Sequence, residues 1–345
     1  NKTVVEGLDV LDPSTRILDM SRIGPVLTFE DEAVRKGPPV TAMLVQNTNP
    51  AAVAPDTNRV LKGLKRDDLF LCVHEQFLTE TAQLADIVLP ATMFLEHDDI
   101  YQAGGHMYLQ IHRAVIEAPE QTRSNHWVIN ELAKRLGAQH PGFGMTEWEL
   151  IDKTLLDSGW PSADALLEKK WHDVQPSFAD SHFLNGFPTS TGRFQFSADW
   201  SQLGPLGSKL PNYPDHCDNI DSATAEKPFR LVTSPARNYL NTSFTETPTS
   251  KQNEVRPTVK IHPDAAGQLC LEDGDKVRLG NEQGSVVLNA SIFSGLQTNV
   301  VVVESVWPNS AFEEGVGINT LISAEAGPPN GGAVFHDTAI WIKPA

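Results

Sequence analysis

The 345-residue sequence has little positive charge and no long apolar run. Lys plus Arg number 27 against 44 Asp plus Glu, a net charge of −17, and no Lys/Arg-rich stretch occurs. This composition argues against a nucleic-acid backbone or an anionic membrane surface as the main partner. No apolar stretch approaches the length of about 18 residues that a membrane span needs. A single bound nucleotide remains compatible, because backbone amides and a few polar side chains can hold a diphosphate.

Cysteine is also scarce. The three residues Cys72, Cys217 and Cys270 lie far apart in the chain. An odd number without CxxC spacing argues against a disulfide framework and against a cysteine-based metal knuckle. Cys72 falls in the apolar run 69–73, which predicts a small buried hydrophobe rather than a nucleophile.

The sequence begins at Asn1, with neither an initiator methionine nor a signal-peptide pattern. We therefore expect it to be part of a longer polypeptide. A cytoplasmic location is expected, although an export signal in a preceding segment would place the protein in the periplasm.

The length predicts two or more domains. Three short apolar runs, at 40–45, 69–73 and 87–89, are separated by helical segments. This arrangement is typical of parallel βαβ units with helices on both faces, so the predicted fold class begins with a doubly wound α/β sheet. Before the third run, "LTETAQLA" predicts a short helix, with Thr79 as N-cap and Glu80 near the positive end of its dipole.

Helical patterns occupy the middle of the chain. From Asn125 to Gly137 apolar residues recur at helical spacing, and Gly137 is the expected C-cap. A second helix is expected to begin after Thr146 as its N-cap. The alternating stretch "GRFQFSADW" predicts a short strand, and residues 202–226 predict a linker because they are rich in Gly, Pro, Asn and Asp.

The pattern of apolar and polar residues changes after Lys227. Short β-rich runs are separated by turns at Asp273-Gly274, Gln283-Gly284 and Ser294-Gly295, and "PDAAGQLC" predicts a short helix among them. Evenly spaced short strands favour a closed β-barrel. The predicted domains are an α/β domain at 1–115, a helical return segment and linker at 116–222, and a β-barrel domain at 223–345.

Polar clusters follow the first two predicted strands. The segments 46–50 and 74–76 each come at the end of an apolar run. Ligands of parallel sheets bind beyond the carboxyl ends of the strands, so we expect both clusters on one ligand-binding edge. In "QNTNP", Asn47 and Asn49 can hydrogen-bond a phosphate or ribose and adopt unusual backbone angles, but an ordinary Asx-rich loop explains this composition equally well.

Other chemistries fit the residues less well. Between His74 and His106 potential metal ligands are dense, but His74-Glu75 lacks a second His at i+4, and "EHDD" is equally typical of a solvated turn in an acidic protein. The nucleophile elbow GxSxG, the GxGxxG fingerprint and the P-loop are absent.

Several stretches resemble the C-terminal half of the molybdopterin oxidoreductases that carry a bis-molybdopterin guanine dinucleotide. These include "VTAMLVQNTNPAAVAP", "VHEQFLTETAQLADIVLPATMFLEHDD", "NELAKRLG", "LVTSPARNYLNTSF" and "IHPDAAGQLCLEDGDKVRL". The resemblance covers nearly the whole chain in the right order. It implies a doubly wound domain followed by a barrel of the double-psi type. The stretch "EHDDIYQAGGH" departs from the formate dehydrogenase pattern and looks closer to the sulfoxide reductases.

In this family the turn after the first strand approaches a guanosine diphosphate. The acidic position after the second strand, here Glu75 where many members carry Asp, meets the ribose. His74 occupies a position where Gln is frequent in the family. The resemblance also implies that Asp86 faces the edge of the guanine base. The residues that it assigns to the nucleotide end are Gln46, Asn47, Asn49, Pro50, His74, Glu75, Gln76, Thr79, Thr81 and Asp86.

In the barrel, the resemblance assigns the segment after the first strand to the pterin and its phosphates. Arg237 has the strongest physical case, because a planar guanidinium pairs with two phosphate oxygens. The residues assigned here are Thr233, Ser234, Arg237, Asn238, Asn319 and His336.

We therefore expect the chain to be the cofactor-binding C-terminal part of a molybdenum oxidoreductase. The resemblance implies that the molybdenum ligand, and an iron–sulfur cluster where the enzyme has one, belong to the missing N-terminal half. No catalytic residue and no metal ligand is then expected in this chain. The implied partners are that half of the same polypeptide and an electron-transfer protein. The alternatives are a nucleotide-binding regulatory module without redox activity and a structural or assembly protein.

Overall fold

The computed structural model describes residues 14–197, 199–203, 206–213, 215 and 221–345. Cys217, the first 13 residues of the predicted α/β domain and parts of the predicted linker lie outside this range. The chain forms two compact units. We call residues 74–77 and 88–196 the hairpin unit, and residues 16–73, 78–87 and 197–345 the barrel unit.

A three-stranded parallel sheet has the order β1-β2-β3. Its strands are β1 (Ala42–Gln46), β2 (Phe70–Glu75) and β3 (Ile87–Pro90). The accompanying helices are α1 (Ile23–Leu27), α2 (Glu32–Arg35), α3 (Pro50–Val53) and α4 (Thr57–Leu64). Apolar side chains from α1, α3, α4 and the strands form its core: Leu27, Val45, Ala51, Val60, Leu64, Leu71 and Val73.

The hairpin unit contains a second sheet of order β4-β5-β6, made of β4 (Asp99–Gln102), β5 (Tyr108–His112) and β6 (His172–Asp173). Its helices are α5 (Asn125–Leu136), α6 (Glu147–Asp157), α7 (Ala163–Lys169) and α8 (Phe178–Ser181). Two predicted helix ends are confirmed: Gly137 ends α5 in the left-handed conformation, and Thr146 forms a capping box with Glu149.

The last part of the chain is a closed six-stranded barrel of order β10-β8-β11-β7-β12-β9. Its strands are β7 (Phe229–Pro235), β8 (Thr258–Ile261), β9 (Lys276–Asn281), β10 (Gly284–Ile292), β11 (Val300–Ser305) and β12 (His336–Pro344). The helices α9 (Pro248–Glu254) and α10 (Pro263–Gln268) lie between β7, β8 and β9 in the chain. Strand β10 pairs with β8, and β11 with β7, in parallel. Closure leaves no strand edge open, and the fold class predicted from the sequence is confirmed.

Short 3₁₀ helices complete the secondary structure. They are Met20–Arg22, Ala82–Leu84, Pro141–Gly144, Trp200–Leu203, Gly207–Lys209, Asn309–Ala311 and Ile318–Leu321. Within the described ranges, no helix is both long and apolar enough to cross a membrane.

Three local predictions were wrong. Strand β2 continues to Glu75, so His74 and Glu75 lie inside the strand rather than after it. The helix predicted in "LTETAQLA" is reduced to the 3₁₀ helix Ala82–Leu84, which begins after Thr81. The described residues of "GRFQFSADW" form no strand; there Phe194 packs edge-on against Phe187 and Phe196 instead of alternating along a paired strand.

Candidate functional site

A buried network of side chains surrounds the first turn of α3. The side-chain oxygen of Asn49 accepts hydrogen bonds from the Thr81 backbone N–H at 3.1 Å and from the Thr81 hydroxyl at 2.7 Å. Its amide group donates to the Glu80 carboxylate at 2.7 Å. The Thr81 hydroxyl accepts from the Ala51 N–H at 3.0 Å. Asn49 and Thr81 therefore lie together, and their buried polar groups bond within the chain.

The barrel contributes two more amides to this network. Asn319 donates to the carbonyl groups of Ala52 and Val53 at 3.2 and 2.9 Å, at the end of α3. The backbone N–H of Asn309 donates to Glu80 at 2.9 Å, and its side chain donates to the Ala51 carbonyl at 2.8 Å. Sequence reasoning missed Glu80 in this role and missed Asn309 entirely. Neither residue carries a local signal, because their partners are distant in the chain.

The network holds the loop after β1 in place, and Asn47 in this loop is exposed to solvent. Asn47 directly follows β1, is exposed, and has a φ of 49°, a left-handed conformation that Asn adopts more readily than most residues. Gln46 is half-buried at the end of β1, and Pro50 is buried as the first residue of α3. The unusual backbone angle expected in "QNTNP" is thus found at Asn47.

In the hairpin unit, the His-Glu-Gln cluster has partners of its own. His74 is fully buried, and its Nε2 lies 3.0 Å from the carbonyl oxygen of Arg123. A carbonyl oxygen only accepts, so this nitrogen carries a proton and donates. Gln76 donates to the Thr92 carbonyl at 2.9 Å, and the half-buried Glu75 carboxylate accepts from the Gln76 N–H at 2.7 Å.

Two further residues that the resemblance assigned to the nucleotide accept hydrogen bonds from backbone N–H groups. The Asp86 carboxylate accepts from the Leu71 N–H at 2.7 Å. It therefore lies near the beginning of β2, away from the carboxyl end of the strands where Asn47 lies. The Thr79 hydroxyl accepts from the Ala82 N–H at 3.2 Å, which holds the short turn after it. A contact between Asp86 and the guanine base stays a prediction from the resemblance.

The loop after β7 presents Arg237 on a fixed backbone. Ala236 and Tyr239 on either side of it are buried, and Asn238 donates through its backbone and side chain to the Glu254 carboxylate at 2.6 and 2.8 Å. The side chain of Arg237 is exposed. Within the part of the chain that the structure describes, this guanidinium has no hydrogen bond or ion pair. Its donors are available for an anion.

The other predicted barrel residues lie beside this loop. The Thr233 hydroxyl donates to the Phe335 carbonyl at 2.8 Å, across the contact between β7 and β12. His336 is exposed and pairs with Val232, and Ser234 is half-buried opposite Glu304 on β11. The end of β7 thus brings Thr233, Ser234, Arg237, Asn238 and His336 into one region.

A short segment after β11 joins this region to the network around α3. The ring of Trp307 packs edge-on against Tyr239 at a centroid distance of 5.1 Å, and Asn309 two residues later bonds Glu80 and Ala51. A shift of the segment 307–309 would therefore change both the packing on Tyr239 and the hydrogen bonds to Glu80 and Ala51. Among the described residues, no group of three or more His, Cys, Asp or Glu side chains could hold a metal ion.

Comparison with known proteins shows which family models match the chain. The family model "Molybdopterin oxidoreductase" matches residues 26–135, and the model "Molydopterin dinucleotide binding domain" matches residues 229–339. The two matches cover the parallel sheet with the β4–β5 hairpin and most of the barrel. They therefore include both the α3 network and the loop of Arg237.

Individual relatives agree with this result. The probable oxidoreductase YoaE of Bacillus subtilis is 32% identical over 99% of this chain and 49% of its own length. A trimethylamine-N-oxide reductase of Haemophilus influenzae is 24% identical over 86% of this chain and 40% of its own length. The chain thus spans about half the length of the curated relatives it matches. The structure of acetylene hydratase from Pelobacter acetylenicus superposes with a TM-score of 0.76 at 18% identity, covering 95% of this chain and 47% of that one, and supports the same fold. The chain belongs to the molybdopterin oxidoreductase family.

Proposed function

We propose that this chain is the C-terminal, cofactor-binding part of a molybdenum-dependent oxidoreductase, and that it binds the guanine dinucleotide ends of a bis-molybdopterin guanine dinucleotide. When bound, that cofactor supplies the two-electron redox chemistry, and the residues of this chain bind and orient it. No side chain of the chain is assigned as molybdenum ligand or catalytic nucleophile. Those groups, and an iron–sulfur cluster if the enzyme has one, belong to the other half of the polypeptide.

The observation that carries the proposal is the exposed guanidinium of Arg237 on an anchored loop, within a region that matches a dinucleotide-binding model. An Arg fork pairs with two phosphate oxygens at once, and fixing its backbone beforehand lowers the entropic cost of binding. The donor set fits a diphosphate, because no carboxylate partner among the described residues competes for these donors.

The loop after β1 is the second element of the proposal. The exposed Asn47 can offer its side chain and backbone to a phosphate or ribose while Asn49, Thr81 and Asn319 hold the loop from behind. We therefore assign Asn47 and Gln46 direct contacts, and Asn49, Thr81 and Asn319 supporting roles. Glu75 is half-buried at the end of β2, where a carboxylate can accept the two ribose hydroxyl hydrogens.

For the reaction of the complete enzyme we propose oxygen-atom transfer, with formate-type oxidation as the second candidate. The similarity to a trimethylamine-N-oxide reductase favours the first. A cytoplasmic location is part of this proposal.

The test compares this chain with the complete polypeptide. The complete enzyme should contain molybdenum and release GMP on mild acid treatment, and it should reduce an N-oxide or S-oxide with an artificial electron donor. This chain alone should contain no molybdenum, release no GMP and reduce neither substrate. A preparation of this chain that held stoichiometric molybdenum and reduced an S-oxide unaided would refute the assignment. A complete protein that bound guanine nucleotides but never molybdenum would favour the regulatory module.

A further inference from the structure

Two residues in the loop after β7 have a left-handed backbone conformation. Asn241 has a φ of 51° and Phe244 a φ of 67°. Asparagine adopts this conformation readily, whereas a bulky aromatic residue adopts it only at a cost in free energy. Strained residues of this kind are found preferentially at binding and active sites. The strain at Phe244 therefore raises the question of what its side chain does.

A tight turn brings Phe244 back towards the loop of Arg237. Leu240 and Ser243 exchange two backbone hydrogen bonds, at 3.1 and 2.9 Å, and pair antiparallel. Such a turn reverses the direction of the chain. Phe244 directly follows the turn as Tyr239 directly precedes it, so the two residues come side by side, with Arg237 two positions further back.

The charges around Tyr239 agree with this arrangement. Burial raises the pKa of Tyr239, and the negative charges of Glu254 and Glu246 raise it further. The Glu254 carboxylate also accepts from the backbone and side chain of Asn238, at 2.6 and 2.8 Å. The segment after the turn and the end of α9 therefore fold back on the residues next to Arg237.

Hydrogen bonds also hold the backbone on the far side of Phe244. Its carbonyl oxygen accepts from the Thr247 N–H at 3.0 Å, directly before α9. Thr245 is buried, and its hydroxyl donates to the Thr242 carbonyl at 2.8 Å. The backbone of Phe244 is thus fixed between the turn and the helix, and its strained conformation is maintained by both.

The ring of Phe244 is open to solvent. It is 58% exposed, and no aromatic ring or cation lies against it in the part of the chain that the structure describes. Two other phenylalanines have a left-handed backbone, and both have ring partners. The Arg66 guanidinium lies 4.0 Å above the ring of Phe29, and Phe183 stacks on Phe187 at a centroid distance of 4.8 Å. Phe244 therefore differs from them in offering a free aromatic face.

An aromatic face beside a free guanidinium suits a planar heterocycle that carries phosphate. Fixed aromatic side chains are stacking platforms for planar bases, and an Arg fork pairs with the phosphate oxygens of the same ligand. Because the backbone of Phe244 is held before binding, little entropy is lost on ordering the ring. In "NTSFTET" every neighbour of Phe244 is polar, which favours a small polar ligand over an apolar protein surface.

We propose that Phe244 is a further cofactor-binding residue, and that its ring stacks on the bicyclic heterocycle, guanine or pterin, of the dinucleotide whose phosphates bind Arg237. The inference rests on the proposed function, because both heterocycles belong to the cofactor assigned there. Phe244 orients this ring and takes no part in making or breaking bonds.

The first test measures the GMP and molybdenum that the complete enzyme retains after dialysis. Phe244→Leu keeps an apolar side chain without the aromatic face and should lower retention about tenfold. Phe244→Tyr keeps the ring and should retain the wild-type amount. Phe293→Leu is the matched control and should also match the wild type, because Phe293 is 47% exposed and its ring faces Lys260. Full retention by Phe244→Leu, or equal losses for Phe244→Leu and Phe244→Tyr, would overturn the proposal.

The second test separates binding from a role in the fold. Asparagine adopts the left-handed conformation readily, so Phe244→Asn should not lower the midpoint of urea denaturation of this chain. In the complete enzyme the same variant should lose cofactor as Phe244→Leu does. Phe29→Asn should lower the midpoint, since it removes the ring under Arg66. A clearly lower midpoint for Phe244→Asn would show that the ring supports the fold, and the proposal would then be wrong.

The third test identifies the ring that stacks. In this chain, the fluorescence of Phe244→Trp, after subtraction of the wild-type signal, is titrated with GDP, with pterin and with pyrophosphate at millimolar concentrations. Stacking should quench the new indole, whereas Phe293→Trp should be unaffected. Quenching by GDP identifies guanine, and quenching by pterin identifies the pterin. Quenching by neither, or by pyrophosphate equally well, would contradict a stacking contact.

The tests also distinguish this inference from the proposed function. A complete wild-type enzyme that held neither molybdenum nor GMP would refute the proposed function. In that case the titration of Phe244→Trp still decides whether the residue stacks on a heterocycle.

Discussion

The backbone N–H of Asn309 donates to the Glu80 carboxylate at 2.9 Å, although the two residues are 229 positions apart. The other oxygen of Glu80 accepts from Asn49. One carboxylate therefore ties the loop after β1 to the segment after β11. Since that segment also packs on Tyr239 beside Arg237, the two loops assigned to the cofactor share a common support.

Replacing Glu80 by Gln should loosen this support. The amide would place one N–H group against the donors of Asn49 or Asn309, so one bond is lost and two donors oppose each other. We expect a loss of about 2 kcal/mol in the free energy of unfolding, measured by urea denaturation. Glu246→Gln serves as control, because it breaks a surface ion pair with Lys251 and should cost at most about 0.5 kcal/mol. Equal effects of the two variants would show that Glu80 is not a structural centre.

Asn309→Asp tests the same network from the barrel side. The Asn309 amide donates to the Ala51 carbonyl and its oxygen accepts from the Gly317 N–H. Aspartate keeps the acceptor but sets a charged oxygen against a carbonyl in a buried place, so we expect destabilisation of about 3 kcal/mol. Asn330→Asp at an exposed position should change stability little. An unchanged denaturation midpoint for Asn309→Asp would argue that this bond contributes nothing.

Asp56→Asn should raise stability at neutral pH. Burial raises the pKa of Asp56 above its usual value of 3.8, Arg59 lowers it, and Glu30 raises it further. A raised pKa in the folded state means that the stability Asp56 contributes is present below pH 3.8 and is lost as the pH rises through the folded-state pKa. Asparagine cannot ionise and tolerates the φ of 53° at this position.

The gain for Asp56→Asn should be about 1 kcal/mol at pH 7 and should shrink towards pH 4. Urea denaturation of the wild type and the variant between pH 4 and pH 8 measures this. A gain that is independent of pH would assign the effect to the backbone conformation rather than to the charge.

Thr146→Ala should remove the capping box of α6. The Thr146 hydroxyl accepts from the Glu149 N–H at 3.3 Å, and the Glu149 carboxylate accepts from the Thr146 N–H at 2.7 Å. We expect a loss of about 1 kcal/mol, seen as a lower denaturation midpoint. Thr154→Ala, in the middle of the same helix, should be neutral or stabilising because alanine has the higher helix propensity. Destabilisation by both variants would attribute the effect to packing instead.

Much of the fold follows from local patterns. The apolar runs predicted all three strands of the parallel sheet, Gly137 and Thr146 were recognised as helix ends, and the turn chemistry predicted the barrel. Each of these signals depends on residues close in sequence. The strand predicted in "GRFQFSADW" failed because a strand requires a partner, and alternation alone does not supply one.

Less of the candidate site than of the fold could be predicted from the sequence. Asn49 and Thr81 were recognised from the family motif, but the motif could not show that their side chains bond each other. Glu80 was assigned to a helix dipole, whereas its partners come from the distant Asn309 and from Asn49. Such contacts depend on how the barrel packs against α3, and no periodicity in the sequence reports that.

The cofactor content of Arg237 variants in the complete enzyme tests the central claim most directly. GMP and molybdenum retained after dialysis should be near the wild-type amount for Arg256→Ala, which removes another exposed guanidinium of the barrel domain. Arg237→Ala should weaken retention by at least about tenfold, because a charge-assisted pair of hydrogen bonds to phosphate is lost. Arg237→Lys should lie between them, since lysine keeps the charge without the fork. Full retention of GMP and molybdenum by Arg237→Ala would contradict the account.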